Sequence, residues 1–419
     1  MNSGSSSDLH ANDRRAFLKR GGIAGLAAAL GGAIPYADNL MPGVFPEALA
    51  QGFAGGALPG KRGLRVLNDR PVNAETPVTL LDDEITPSER HFIRNNGIIP
   101  DRAWNQNLKD WSLTIDGEVR QTLKLAMTDL QKRYPQVTRA LVIECGGNGR
   151  AGYHPPAKGN QWTLGAVGCS EYTGVRLKDV LEDAGIKKSA VYLGYYGEDL
   201  HLSRDPNKQP ISRGVPIAKA LDEHTLLVWA MNGKPLPAYH GFPLRLVCPG
   251  WPGSTSGKWL RRIWVRDQVH DGVKMTGTSY RVPRHPVAPG TEVPEEEMEI
   301  IEEMPVKSLI TRPGTGIETP QSASLKLRGH AWSGYGDVKA MHVSIDFGAT
   351  WIAAKLKRPR NKYAWQRWEA AARFPKKGYY EVWARATDVR GHMQPMVVPG
   401  WNPKGYLNNA MQRIAVKAV

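Results

Sequence analysis

Apolar residues recur along most of this chain in short runs separated by turn formers, and the period of those runs changes once. Between residues 81 and 290 the runs Trp111–Ile115, Ala140–Glu144, Ala190–Tyr195, Leu226–Trp229 and Leu244–Val247 have strand length. They alternate with segments of helical spacing at Leu125–Arg133, Leu177–Ala184 and Ile217–Ala220. The intervals are irregular and dense in Gly and Pro, which predicts a mixed α+β domain rather than a regularly wound parallel sheet. Beyond residue 306 the pattern becomes all-β. Leu325–Gly329, Val338–Ser344, Trp351–Ala354, Gln366–Ala371 and Tyr379–Ala386 alternate between apolar and polar positions and are spaced by turns such as Asp346-Phe347-Gly348. That spacing predicts an immunoglobulin-like β-sandwich over 306–419. The proline-rich stretch from Pro283 and the acidic run Glu295–Glu299 predict a solvated linker at 291–305, and Gly/Pro-rich residues 51–80 predict an extended arm over the first domain.

The first fifty residues form a separate unit. Arg14-Arg15-Ala16-Phe17-Leu18-Lys19 precedes a weakly apolar run from Gly21 to Ile34, and Ala48-Leu49-Ala50 offers a cleavage site. The run is too short to span a bilayer, which takes about 20 apolar residues. The order of features is that of a twin-arginine export signal, so the expected location is the periplasm, reached by an already folded protein. No other stretch predicts stable membrane insertion. The net charge of +15 falls entirely on the remaining chain. Such a field attracts anions and acidic proteins. No basic helix interleaved with aromatics and no zinc spacing accompanies it, which argues against nucleic-acid binding.

Three cysteines, Cys145, Cys169 and Cys248, cannot all pair. Cys169 and Cys248 read as small core residues. Cys145 differs, because it leaves the apolar run Ala140–Ile143 and enters Gly146-Gly147-Asn148-Gly149-Arg150. A thiolate at a strand end, with glycines that let a large group approach and an arginine five residues on, suits a nucleophile or a metal ligand. No Cys-x-x-Cys-His motif is present, so no covalent haem is expected in this chain.

Further blocks join this one: His91–Asn96, Trp162–Val167, Met231–Pro237, His240–Arg245, Gly257–Leu260 and Gly329–Gly334. With their order across both domains, the chain from about residue 80 to its end resembles the sulfite oxidase family of molybdenum enzymes. The resemblance implies a molybdenum–molybdopterin cofactor with Cys145 as the metal ligand. It implies pterin and phosphate contacts from Arg94, Asn95, Asn96, Asp199, His240, Arg245, Ser256, Gly257 and Lys258. It also implies a sulfite site made by Arg94, Arg150 and a sandwich-domain arginine, for which Arg360 is the best register, with Tyr280 placed for proton transfer. The C-terminal domain would dimerise the protein. Too few residues precede residue 80 for a haem domain, so electrons would pass to an external c-type cytochrome.

Two positions depart from the animal pattern: Asn96 stands where a histidine is found, and Gly149 precedes Arg150 where a second arginine is found. Two alternatives remain at this stage. One is another family member, the catalytic subunit of a sulfane dehydrogenase acting on a protein-bound persulfide. The other is an exported immunoglobulin-like binding protein without chemistry.

Overall fold

A computed structural model describes residues 58–419. The export signal expected at 1–50 lies outside these residues. The first domain contains two five-stranded sheets. One runs in the order Lys234–Pro235, Leu226–Met231, Val167–Arg176, Gln136–Glu144, with Arg245–Val247 paired to the Leu226–Met231 strand. The other runs Leu123–Leu125, Leu113–Gly117, Leu260–Arg266, Tyr192–Gly197, Gly214–Pro216, and one pair in it, Leu113–Gly117 with Leu260–Arg266, is parallel. The helix Leu177–Ala184 buries Leu177, Val180, Leu181 and Ala184 in the core that joins the sheets. That i, i+3, i+4, i+7 spacing presents one apolar face. Gly185 ends the helix at φ 70°, a conformation that costs glycine nothing. The helices at Leu177–Ala184 and Ile217–Ala220 match the sequence reading, whereas the third begins at Met127 after a separate strand, Leu123–Leu125. Asp129 sets that start by accepting the Ala126 N–H at 2.7 Å.

The long hairpin of Gln136–Glu144 against Val167–Arg176 positions the chemistry. Its register runs unbroken from Gln136 opposite Val175 to Glu144 opposite Val167. Cys145 follows at once, its N–H bonded to the Ala166 carbonyl at 2.9 Å.

The second domain is a sandwich. One sheet orders Lys307–Arg312, Leu325–Trp332, Gln366–Ala372 and Lys355–Leu356. The other orders Ile317–Thr319, Gln412–Ala418, Gly378–Asp388, Val338–Ser344 and Ile352–Ala353. Trp368, Val343, Val382 and Ile414 fill the space between them. The α+β domain followed by an immunoglobulin-like sandwich is therefore the fold the sequence predicted.

Two segments differ from the prediction. Residues 58–80 are not an extended arm. Arg65–Asp69 and Val72–Glu75 form an antiparallel pair that continues into Ile93–Arg94, so this segment builds the sheet carrying Arg94. Leu64, Val66, Leu67 and Val72 pack against the core, and buried Glu75 takes Arg65 and accepts both the backbone N–H and the hydroxyl of Thr163. Residues 291–305 are likewise no free linker. Met298–Ile300 pairs with Arg281–Pro283, and Met298, Ile301 and Met304 are buried beneath the exposed acidic side chains. Apolar residues interleaved with the glutamates anchor this stretch. No helix among the described residues is long and apolar enough to cross a membrane.

Candidate active site

The Cys145 loop is held from both domains. Glu144 is buried, and its carboxylate accepts from Asn148 Nδ2 at 3.0 Å, Lys307 Nζ at 2.6 Å and Trp332 Nε1 at 2.8 Å. Lys307 and Trp332 belong to the sandwich. Lys307 also donates to the Asn148 carbonyl at 2.9 Å, and Asn148 Oδ1 accepts the Ala166 N–H at 3.0 Å. On the far side, sandwich residues 402–408 lie over the loop: the Leu407 N–H bonds Gly146 O at 3.0 Å, and Asn408 Nδ2 bonds Gly149 O at 2.7 Å. The Arg150 side chain threads between three glycines. A Cβ added at Gly147 or Gly159 would come within 2.2 or 2.9 Å of its guanidinium, and one at Gly405 within 2.7 Å of its Cγ, so no larger residue fits there without displacing the side chain. Its Nε donates to the Lys404 carbonyl at 2.6 Å and its Nη1 to the Asn160 carbonyl at 2.8 Å.

A deep cleft opens from Cys145 in one direction. It is lined by Arg94, Asn96, Asp199, His240, Arg245, Ser256, Gly257, Lys258 and Tyr280, nearly all of the residues the sequence pointed to. Asn95 lies at its edge, where its Oδ1 accepts from the Lys258 ammonium. Lys258 Nζ also donates to the carbonyls of Arg94 at 3.0 Å and Tyr239 at 2.9 Å. Ser256 Oγ accepts the Cys248 N–H at 3.0 Å, which fixes the turn at Gly257. A Cβ at Gly257 would meet the Tyr195 ring at 2.6 Å.

This cleft is strongly electropositive. Burial, reinforced by neighbouring cations, pushes the Lys258 ammonium and the His240 imidazole well below their ordinary values and His91 down to about 3. Burial also lowers Lys61 to about 7; its Nζ lies 2.5 Å from His240 Nε2 and donates to the carbonyls of Ser88 and His91. One carboxyl, Asp199, lines the cleft, and burial raises it to about 6 against the opposing pull of Lys258 and Lys274. Arg245 Nε and Asn95 Nδ2 are buried with no protein partner. Cations that outnumber the one carboxyl, and donors without acceptors, fit a long polar ligand with an anionic phosphate; the thiol of Cys145 at the inner end fits a soft metal. The chain thus has the donor set for a molybdenum–molybdopterin group.

In the other direction Cys145 faces a solvent-connected mouth. Arg94, Arg150, Lys158, Lys274, Lys404, Tyr280 and Tyr406 line it together with Asn96, Gly159, Asn160 and Ser279, and no Asp or Glu is among them. Tyr280 sits in left-handed backbone at φ 55°, its ring stacked on Tyr406 with centroids 5.6 Å apart and flanked by the Arg213 guanidinium at 4.9 Å. Burial raises the Tyr280 phenol, but Arg94 and Lys274 outweigh it, and the net shift is downward.

Arg360 is not part of this site. It is half exposed and its guanidinium bonds Glu84 at 3.0 Å and Glu171 at 2.8 Å, two carboxylates that hold it on the surface. The sandwich instead reaches the mouth through Lys404 and Tyr406. Lys61, Lys158 and Lys274 were missed as well. Nothing in composition or spacing marked any of them, because each lysine reaches the site only through the fold.

Comparison with known proteins places the chain in a family. Residues 98–274 match the oxidoreductase molybdopterin binding domain and residues 298–419 the Mo-co oxidoreductase dimerisation domain. Sulfite oxidase of Gallus gallus is 33% identical over 390 residues, covering 90% of this chain and 83% of that protein. Mitochondrial sulfite oxidase of Homo sapiens is 35% identical over 369 residues, and this chain spans 65% of its length. Among solved structures, the sulfane dehydrogenase SoxCD from Paracoccus pantotrophus aligns with a TM-score of 0.69 at 27% identity, covering 92% of this chain and 97% of that one.

Proposed function

We infer that this chain, which belongs to the sulfite oxidase family of molybdopterin oxidoreductases, oxidises sulfite to sulfate and passes the electrons to a separate c-type cytochrome. The observation that carries the reading is the mouth beside Cys145, which gathers Arg94, Arg150, Lys158, Lys274 and Lys404 and holds no carboxylate. Sulfite is a small dianion over much of its working range, and a partly desolvated ring of cations favours such a ligand over neutral or cationic ones.

When bound, the molybdenum group supplies the oxygen that is transferred and accepts the two electrons released. The chain's own residues do the rest. Cys145 holds the metal through its thiolate. Arg94 and Arg150 orient the anion, and because both are pinned by neighbouring carbonyls or amides they need little rearrangement on binding. Tyr280 would hold or move a proton at its phenol oxygen, as a reaction that consumes one water and releases two protons requires. Arg245, whose Nε has no protein partner, and His240 would hold the pterin and its phosphate, while Lys258, its three donors taken by protein oxygens, would shape the cleft and add its charge.

The export motif supports a periplasmic setting, and the C-terminal domain supports a homodimer. A second reading is favoured by the likeness to SoxCD along nearly the whole chain: a sulfane dehydrogenase subunit acting on a protein-bound persulfide. Purified protein assayed for molybdenum and for cytochrome c reduction by free sulfite separates the two. Turnover of free sulfite supports the first reading; molybdenum-loaded protein with no activity on free sulfite rejects it.

A further inference from the structure

Of the five cations that line the mouth beside Cys145, Lys274 is the one tied to Arg94. Lys274 is half-buried at the wall of the mouth, and its Nζ donates to Asn96 Oδ1 at 2.7 Å. The same oxygen accepts Arg94 Nη2 at 2.9 Å. A carbonyl oxygen has two lone pairs, so Asn96 can serve both cations at once. With Oδ1 so occupied, the amide NH2 is the end that meets the Tyr280 phenol, to which Asn96 also hydrogen-bonds.

The backbone beneath Lys274 is fixed. Its φ is 68°, its carbonyl accepts Arg213 Nη1 at 3.1 Å, and the carbonyl of Val273 accepts the Ser212 N–H at 2.9 Å. Arg213 is itself fully buried and stacked on Tyr280. Lys274 is therefore positioned, not a wandering surface lysine. Its ammonium has three N–H donors, of which one bonds protein, leaving two for a ligand in the mouth.

We propose that Lys274 is the third cation of the oxyanion site, filling the place expected for a sandwich-domain arginine, and that Asn96 holds it beside Arg94. The inference rests on the reading above that the mouth binds a small oxyanion. It makes the anion site a property of the first domain on this side, with Arg150 opposite. Lys274 then selects for doubly charged oxyanions, because each added fixed charge in a partly desolvated site favours the dianion over the monoanion.

The test uses the molybdenum-loaded enzyme and inorganic sulfate as a non-reacting probe, with binding measured by calorimetry and sulfite turnover measured separately. Lys274→Met and Lys274→Gln should weaken sulfate binding and raise the sulfite KM by roughly ten- to a hundred-fold, the loss of one charge-assisted contact, with a much smaller change in kcat. Lys274→Arg should stay within about three-fold of wild type. Asn96→His, with at most one acceptor nitrogen, should weaken sulfate binding similarly, and its combination with Lys274→Met should be less than additive. Loaded Lys274→Met and Lys274→Gln enzymes that bind sulfate like wild type would overturn the assignment. Wild-type enzyme that binds sulfate through Lys274 yet oxidises no sulfite would leave it standing and reject the proposed reaction instead.

Discussion

Replacing Lys307 with Met removes the sandwich-domain charge that meets Glu144, the residue immediately before Cys145, the proposed metal ligand. The two side chains are 5% and 2% exposed, with Nζ and Oε1 2.6 Å apart. At that separation and an effective dielectric of about 20, the attraction is about 6 kcal/mol, set against the cost of desolvating two ions. Methionine preserves the packing volume but leaves the Glu144 charge buried. Asn148 and Trp332 continue to donate to it, which softens the loss. A net destabilisation of about 3–5 kcal/mol is expected, the usual cost of breaking one side of a buried pair. Removing both charges in Glu144→Gln/Lys307→Met should recover at least about 2 kcal/mol of that, because no ion remains uncompensated. Urea unfolding followed by tryptophan fluorescence, with molybdenum retention measured on the same samples, reads both effects. A Lys307→Met protein within about 1 kcal/mol of wild type would refute the reasoning, as would a double variant less stable than either single one.

Other outcomes follow from the same geometry. Cys145→Ser should abolish sulfite oxidation while leaving the circular dichroism and unfolding midpoint of cofactor-free protein near wild type, since the thiol makes no side-chain bond that packing depends on; full activity with molybdenum bound would reject the ligand assignment. Gly147→Ala should raise the sulfite KM at least about ten-fold, because its Cβ would lie 2.2 Å from the Arg150 guanidinium. Arg360→Gln should leave KM within about two-fold, its partners being surface carboxylates. Asp199 has a folded pKa raised from 3.8 to about 6 by burial, so its contribution to the stability of cofactor-free protein is most favourable below about pH 4 and is lost as pH rises through about 6. Relative to Asp199→Asn, wild type should lose about 3 kcal/mol across that window, read by unfolding at a series of pH values.

Features written in short stretches of sequence were readable, and features assembled across the chain were not. Leu177–Ala184 carries its own apolar face and stop signal, and the structure reproduces it to the residue. Cys145 announced itself because the strand, the glycines and the arginine are contiguous. The Val167–Arg176 and Leu260–Arg266 strands went unmarked: glycine, serine and glutamate interrupt the first, and Arg261, Arg262 and Arg266 break the apolar pattern of the second. Their hydrogen-bonded partners, not their own composition, make them strands. The acidic run at 295–303 read as solvated because charge dominates it, yet Met298 and Ile301 within it are buried. The residues lining the cleft were found through family likeness, residue by residue. Lys61, Lys274 and Lys404 were not, since a lysine in a loop has no distinguishing spacing and only the fold brings it to the site. Arg360 failed for the converse reason, a plausible basic stretch whose nearest carboxylates claim it.

Residues 402–408, contributed by the last part of the chain, touch the backbone on both sides of the glycine turn after Cys145 and supply the Lys404 carbonyl that orients Arg150. The catalytic machinery therefore cannot be excised by cutting between the domains: a truncated first half would keep the thiol but lose the roof that shapes its surroundings. Inherited or engineered changes in this tail should reveal themselves as altered kinetics before they reveal themselves as lost assembly. The same arrangement gives the last segment synthesised a say in when the centre is complete, so a ribosome-bound fragment ending before residue 400 would carry an unfinished pocket.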